Sequence, residues 1–168
     1  MTGSLKTLDD LFYDTLREVF YAEQKIGESL PKLARAVGSR DLKAALTKHR
    51  TESQVRLERL KMAFEVIGRP ARSKPCEAID GLMEETATLV ARYNGSPALD
   101  AGLLAAAQAA AHYEISRYGT LRAWAERLGY AEAADLFLAT LEEEEATDKM
   151  LSGLATVINV EAEPVNVC

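Results

Sequence analysis

The sequence predicts an all-α fold: a four-helix bundle built from two antiparallel helical hairpins, with one short extra helix between them. Three observations predict it. Four long stretches carry apolar residues at three- and four-residue steps, the period of a single buried helix face. Composition agrees, with 48% hydrophobic residues rich in Ala and Leu against only 10 Gly and 5 Pro in 168 residues. The third is an internal repeat. Glu23, Gly38 and Glu52 recur as Glu114, Gly129 and Glu143, each displaced by 91 (114 − 23, 129 − 38, 143 − 52). The same offset carries Leu8-Asp9 onto Leu99-Asp100, Leu30 onto Leu121 and Ala34 onto Ala125.

The first helix is expected over Leu5–Val37, with Leu8, Phe12, Leu16, Val19, Glu23, Ile26, Leu30 and Leu33 on one face. Thr7-Leu-Asp-Asp places cap-like and acidic residues at the positive end of its dipole. Pro31 removes one backbone hydrogen bond and should bend it, and Gly38 stops it, with Ser39 as the next N-cap. The second helix runs over Arg40–Ile67, with Leu42, Leu46, His49, Glu52 or Ser53, Leu60, Phe64 and Ile67 inward, and ends at Gly68-Arg-Pro. A shorter helix follows over Glu77–Tyr93, closed by the break Asn94-Gly-Ser-Pro. The fourth spans Leu99–Leu128 and faces the core with Leu104, Ala107, Ala111, Glu114, Tyr118, Leu121, Ala125 and Leu128. The fifth spans Glu132–Ile158 and presents Phe137, Leu141, Glu144, Asp148 and Leu151. Residues 1–160 thus form one domain, and 161–168, without helical pattern, a flexible tail.

The repeat brings chemistry with it. Glu23 lies 15 residues before Gly38 and Glu52 lies 14 after it (38 − 23, 52 − 38). At about 1.5 Å of rise per residue, both sit roughly 21–22 Å from the turn, and the second hairpin repeats the geometry. Four carboxylates from four helices then meet at one level, where they repel unless a cation lies between them. The plain alternative is a buried ion pair with Lys or Arg, and Arg56 is the one basic residue near that level. His49 and Glu52 stand three apart on one helix face and add a nitrogen donor. In Glu142-Glu-Glu-Glu145 the inner stripe favours Glu144, with Asp148 one turn on, while the repeat favours Glu143. Tyr21, Tyr113 and Tyr118 flank the carboxylates and are placed to orient them. The expected metal ligands are therefore Glu23, His49, Glu52, Glu114, Glu143 or Glu144, and Asp148. Oxygen-rich donors with few histidines favour iron or manganese over zinc.

Net charge −6, from 20 basic and 26 acidic residues, argues against a general nucleic-acid binder. The most apolar segment, Ala98 to Ala111, is too short to span a bilayer. No signal-peptide pattern is visible at Met1-Thr-Gly-Ser, so a cytoplasmic location with Cys76 and Cys168 reduced is expected.

Tyr21-Ala-Glu23, His49-x-x-Glu52, Gly81-Leu-Met-Glu-Glu85, His112-Tyr-Glu-Ile-Ser-Arg-Tyr-Gly-Thr-Leu121 and Thr140-Leu-Glu-Glu-Glu144 together resemble the YciF-like bacterial stress proteins of the ferritin-like superfamily. The resemblance covers about Leu5 to Ile158. It implies a ferritin-like bundle plus a short helix, a homodimer, and a dinuclear metal centre on Glu23, His49, Glu52, Glu114, Glu143 or Glu144, and Asp148. Members commonly read Glu-His-Tyr-Glu where this chain has Ala111-His-Tyr-Glu, one ligand fewer. Two functions from different classes follow. One is a metal-binding stress protein whose one or two iron or manganese ions react with peroxide or oxygen. The other is a non-catalytic helical structural or interaction protein with a vestigial site. Whether the chain is an enzyme is left open between them.

Overall fold

The computed structural model describes residues 5–163. Among them are five helices and no strand: α1 Leu8–Ala36, α2 Arg40–Val66, α3 Glu77–Tyr93, α4 Ala98–Leu128 and α5 Ala131–Glu161. Hairpins α1–α2 and α4–α5 pack so that α1 also touches α4 and α2 also touches α5, which closes a four-helix ring. Helix α3 lies outside that ring against α4 and α1. None of the described helices is long and apolar enough to cross a membrane.

Local chemistry sets the ends. Thr7 caps α1 in a full capping box with Asp10, so the helix begins at Leu8 rather than Leu5. Ser39 caps α2 as expected, accepting from the Leu42 N–H at 3.3 Å. Helix α5 runs to Glu161, three residues past the expected end at Ile158, and so takes in the first residue of the expected tail. Residues Pro164 to Cys168 of that expected tail, together with Met1–Ser4, lie outside the described residues.

The two repeat glycines do different work. Gly129 takes the left-handed conformation at φ 83°, and the N–H groups of Gly129 and Tyr130 close the end of α4 onto Glu126 and Ala125 carbonyls. Gly38 is not left-handed, contrary to a simple glycine stop. Helix α1 ends at Ala36, Val37 is extended, and the Asp100 carboxylate receives the N–H of Gly38 at 2.9 Å and of Ser39 at 2.6 Å. Asp9, the repeat mate of Asp100, accepts from the hydroxyl of Tyr130, the repeat mate of Ser39, at 3.0 Å. The start of each hairpin thus pins the turn of the other. Gly129→Ala should cost about 1–2 kcal/mol, because a Cβ is disfavoured at that φ. Gly38→Ala should stay within about 0.5 kcal/mol, a Cβ there meeting only Asp100 Oδ2 at 3.4 Å. Denaturant unfolding of the two variants side by side checks the contrast.

Inside the ring the core divides in two. One apolar cluster gathers Ile26, Leu30, Leu46, Leu103, Leu104, Leu151 and Ile79 toward α3. The other gathers Phe12, Leu16, Phe64, Tyr118, Leu121 and Phe137 toward the opposite end. Along each main helix the buried residues between these clusters are polar: Glu23 on α1, His49, Ser53 and Arg56 on α2, Glu114 on α4, and Thr140, Glu144 and Thr147 on α5. Glu23 and the second helix meet at one level, as the rise calculation requires, because the Ser53 hydroxyl donates to the Glu23 carbonyl at 3.3 Å.

Candidate metal centre

Every inward position in the polar layer has a buried partner at the repeat offset. Glu23 pairs with Glu114, His49 with Thr140, Ser53 with Glu144, and Arg56 with Thr147, and all eight side chains are buried. The two halves therefore build one scaffold and fill it with different chemistry. The first half supplies nitrogen groups, and the second half supplies an additional carboxylate.

Three donors come together at the centre. His49 Nε2 lies 3.5 Å from Glu144 Oε1 and 3.8 Å from Glu114 Oε2. One donor atom from each of the three residues fits within a span of 4.8 Å. Donors held about 2.1 Å from one ion stand ~3.0 Å apart at right angles and ~3.4 Å apart at tetrahedral angles. The observed gaps are only slightly wider than that. No hydrogen bond satisfies His49 Nε2, either oxygen of Glu114 or Glu144 Oε2, while Glu144 Oε1 is in ionic contact with Arg56 Nη1. Glu23 Oε2 accepts from the Tyr118 hydroxyl at 3.1 Å, while its Oε1 is left without a partner. Buried polar atoms are almost always paired, so this group of open acceptors fits a cation.

A cation of the protein's own lies beside them. Arg56, fully buried, sets Nη1 against Glu144 Oε1, Nε 3.2 Å from Glu143 Oε2 and Nη2 3.7 Å from Glu52 Oε2. Burial works against the guanidinium charge, but Glu144, Glu23 and Glu114 outweigh it and hold Arg56 protonated. Burial pushes the Glu114 carboxyl well above the usual carboxylate range. The charges of Glu23 and Glu144 push the same way, and Arg56 opposes them. The Tyr118 phenol is likewise raised by burial and by Glu23 and Glu114, so it stays a hydrogen-bond donor.

The remaining expected ligands stand at the flanks. Glu143 is part-exposed; burial would raise its carboxyl, but Arg59 and Arg56 hold it below its usual range, with Arg59 Nη2 at 2.6 Å. Glu52 pairs with Lys48 at 3.0 Å and turns only one oxygen toward Arg56. Asp148 accepts from Gln108 at 3.3 Å and lies 3.1 Å from His112, outside the centre. Between Glu143 and Glu144, it is Glu144 that faces inward. The inner stripe expects Glu144 and the repeat expects Glu143; Glu144 is buried, while Glu52 and Glu143 occupy matching part-exposed flank positions. Of the three tyrosines, only Tyr118 reaches a carboxylate of the centre. Tyr21 donates to Asp80 at 2.7 Å, and the Tyr113 hydroxyl sits 3.1 Å from the buried Cys76 thiol. The expected inner stripe of α2 omits Arg56, although 49, 53, 56 and 60 step by four, three and four.

The family model described as "Domain of unknown function (DUF892)" matches residues 7–163. The chain is 39% identical over 153 residues to Protein YciF of Escherichia coli K12, covering 90% of this chain and 92% of that protein. The crystal structure of the E. coli stress protein YciF superposes with a TM-score of 0.88 at 38% identity, over 93% of this chain and 99% of that one. YcfI of Rhodopseudomonas palustris, described as a putative structural protein, gives 0.86 at 39% identity, over 90% of this chain and 97% of that one.

Proposed function

Because the chain belongs to the DUF892 family and is similar to the stress protein YciF, we propose that it is a metal-binding stress-response protein with a carboxylate-rich iron or manganese centre. One observation carries the reading: His49, Glu114 and Glu144 converge on a buried point where His49 Nε2, both Glu114 oxygens and Glu144 Oε2 have no hydrogen-bond partner. Glu114 and Glu144 are the anionic ligands, His49 is the nitrogen ligand, and Glu23, oriented by Tyr118, lies beside them. The oxygen-rich donor set suits iron or manganese better than zinc. An ion held there would supply redox chemistry toward peroxide or dioxygen. The protein's own residues hold the ligand geometry, keep bulk water out and keep one positive charge, Arg56, against Glu144.

Metal analysis of purified protein tests this. Protein from iron- and manganese-replete medium should carry one of the two metals. Glu144→Ala and Glu114→Ala should lose it, whereas Glu142→Ala, on the exposed face of α5, should keep it. A chain that holds neither metal and takes up neither on titration would leave the second reading, a non-catalytic structural protein. Arg56 is the feature that favours that second reading, because its ion pair already closes part of the buried charge.

A further inference from the structure

A four-helix bundle that holds two metal ions commonly draws one inward Glu from each of two helices and an inward Glu-x-x-His from each of the other two. The inward positions of this chain fall in that pattern. Positions 23 on α1 and 114 on α4 are the single glutamates. Positions 53 and 56 on α2, and 144 and 147 on α5, are three apart, buried, and related by the 91-residue offset (144 − 53, 147 − 56). Their contents are Ser53-x-x-Arg56 and Glu144-x-x-Thr147 rather than two copies of Glu-x-x-His.

The substitutions are asymmetric in space as well as in sequence. Ser53 spends its hydroxyl on the Glu23 carbonyl, and Thr147 donates to the Glu143 carbonyl of its own helix at 3.0 Å. Arg56 is the residue at these positions that reaches into the carboxylates, with Nη1 on Glu144. His49, one turn before Ser53, supplies the nitrogen that the pattern's own histidine positions lack, its Nε2 3.5 Å from the same Glu144 oxygen that Arg56 Nη1 meets. Formal charge points the same way. Glu23, Glu114 and Glu144 bring three negative charges and Arg56 one positive, so a single divalent ion balances the layer. A second one would leave it with excess positive charge in a dry site, which is costly.

Resting on the metal reading above, we propose that Arg56 is a built-in cation standing in the place of a second metal ion, so that the centre loads one divalent ion per chain. Equilibrium dialysis against Mn²⁺, with metal and protein both quantified, reads the loading. Electron paramagnetic resonance reads whether the bound ions are isolated or coupled. Wild type should bind one ion with the spectrum of lone manganese. Ser53→Glu/Arg56→His/Thr147→His, which restores the symmetric ligand pattern, should bind two coupled ions. Arg56→Lys, which keeps the charge, should stay at one. Circular dichroism confirms that each variant is helical. Two ions per wild-type chain would overturn the proposal while leaving the metal reading intact, and so would a folded triple variant that still binds one. No uptake by wild type would overturn the metal reading and the proposal together. If the triple variant does not fold, the wild-type count decides alone.

Discussion

Arg56→Ala should be among the most destabilising single changes in this chain, at about 3–5 kcal/mol. For a domain of this size that corresponds to roughly 6–20 °C in Tm. The loss does not come from one contact. Removing the guanidinium strands Glu144 in a site with no exposure, leaves Glu143 with Arg59 alone, and withdraws the charge that opposes the upward push on Glu114. Arg59→Ala is the control. Arg59 is part-exposed and its pair with Glu143 is partly screened, so the expected cost is under about 1 kcal/mol. Urea unfolding of both variants, metal-free and near neutral pH, gives the comparison. Equal costs would mean that Arg56 is not the keystone of the polar layer.

Metal should act as a second large stabiliser. A ligand that binds the folded chain alone adds about 2.7 kcal/mol at a hundred times its dissociation constant, and chelation should remove that increment. The metal-free protein should also respond to pH in an unusual direction. Burial, reinforced by Glu23 and Glu144, raises the folded-state value of Glu114 above the 4.5 of a free carboxyl. Its contribution is therefore fully present below that value and is lost as pH rises through the folded value. Glu143, held down chiefly by Arg59 against the opposing effect of burial, behaves oppositely: its contribution is present above 4.5 and is lost as pH falls through its lowered value. The two windows do not overlap, so metal-free stability should peak at mildly acid pH and decline toward neutrality. Glu114→Gln should remove that decline and raise metal-free stability at neutral pH while abolishing metal uptake. Thermal melts across pH, with and without chelator, read both effects. A Glu114→Gln protein less stable than wild type at neutral pH without metal would contradict the assignment.

Much of the fold is legible in the chain because its signals are local and redundant. The third helix occupies the expected Glu77–Tyr93 and is closed by the break at Asn94, and Ser39 caps α2 because its hydroxyl is three residues from an orphan N–H. Gly38 illustrates where local reading stops. Its turn is held by Asp100, 62 residues away, and no local signal announces that partner. The site divides in the same way. The repeat locates the level at which the four helices meet, and stripe spacing selects Glu144 over Glu143. Arg56 is the instructive case. Its 3-4 spacing puts it on the buried face, yet a guanidinium is rarely buried unless carboxylates surround it. Those carboxylates come from other helices, so only the assembled layer shows that burying the arginine is favourable.

The point between His49, Glu114 and Glu144 is expected to hold an ion. A crystal grown with Mn²⁺ and measured for anomalous scattering tests it most directly. The expected result is a single anomalous peak within bonding distance of His49 Nε2 and of one oxygen each from Glu114 and Glu144, with Arg56 still on Glu144. Full-occupancy peaks at the flanks alone, near Asp148 or Glu143, or no peak inside the bundle at saturating metal, would contradict it.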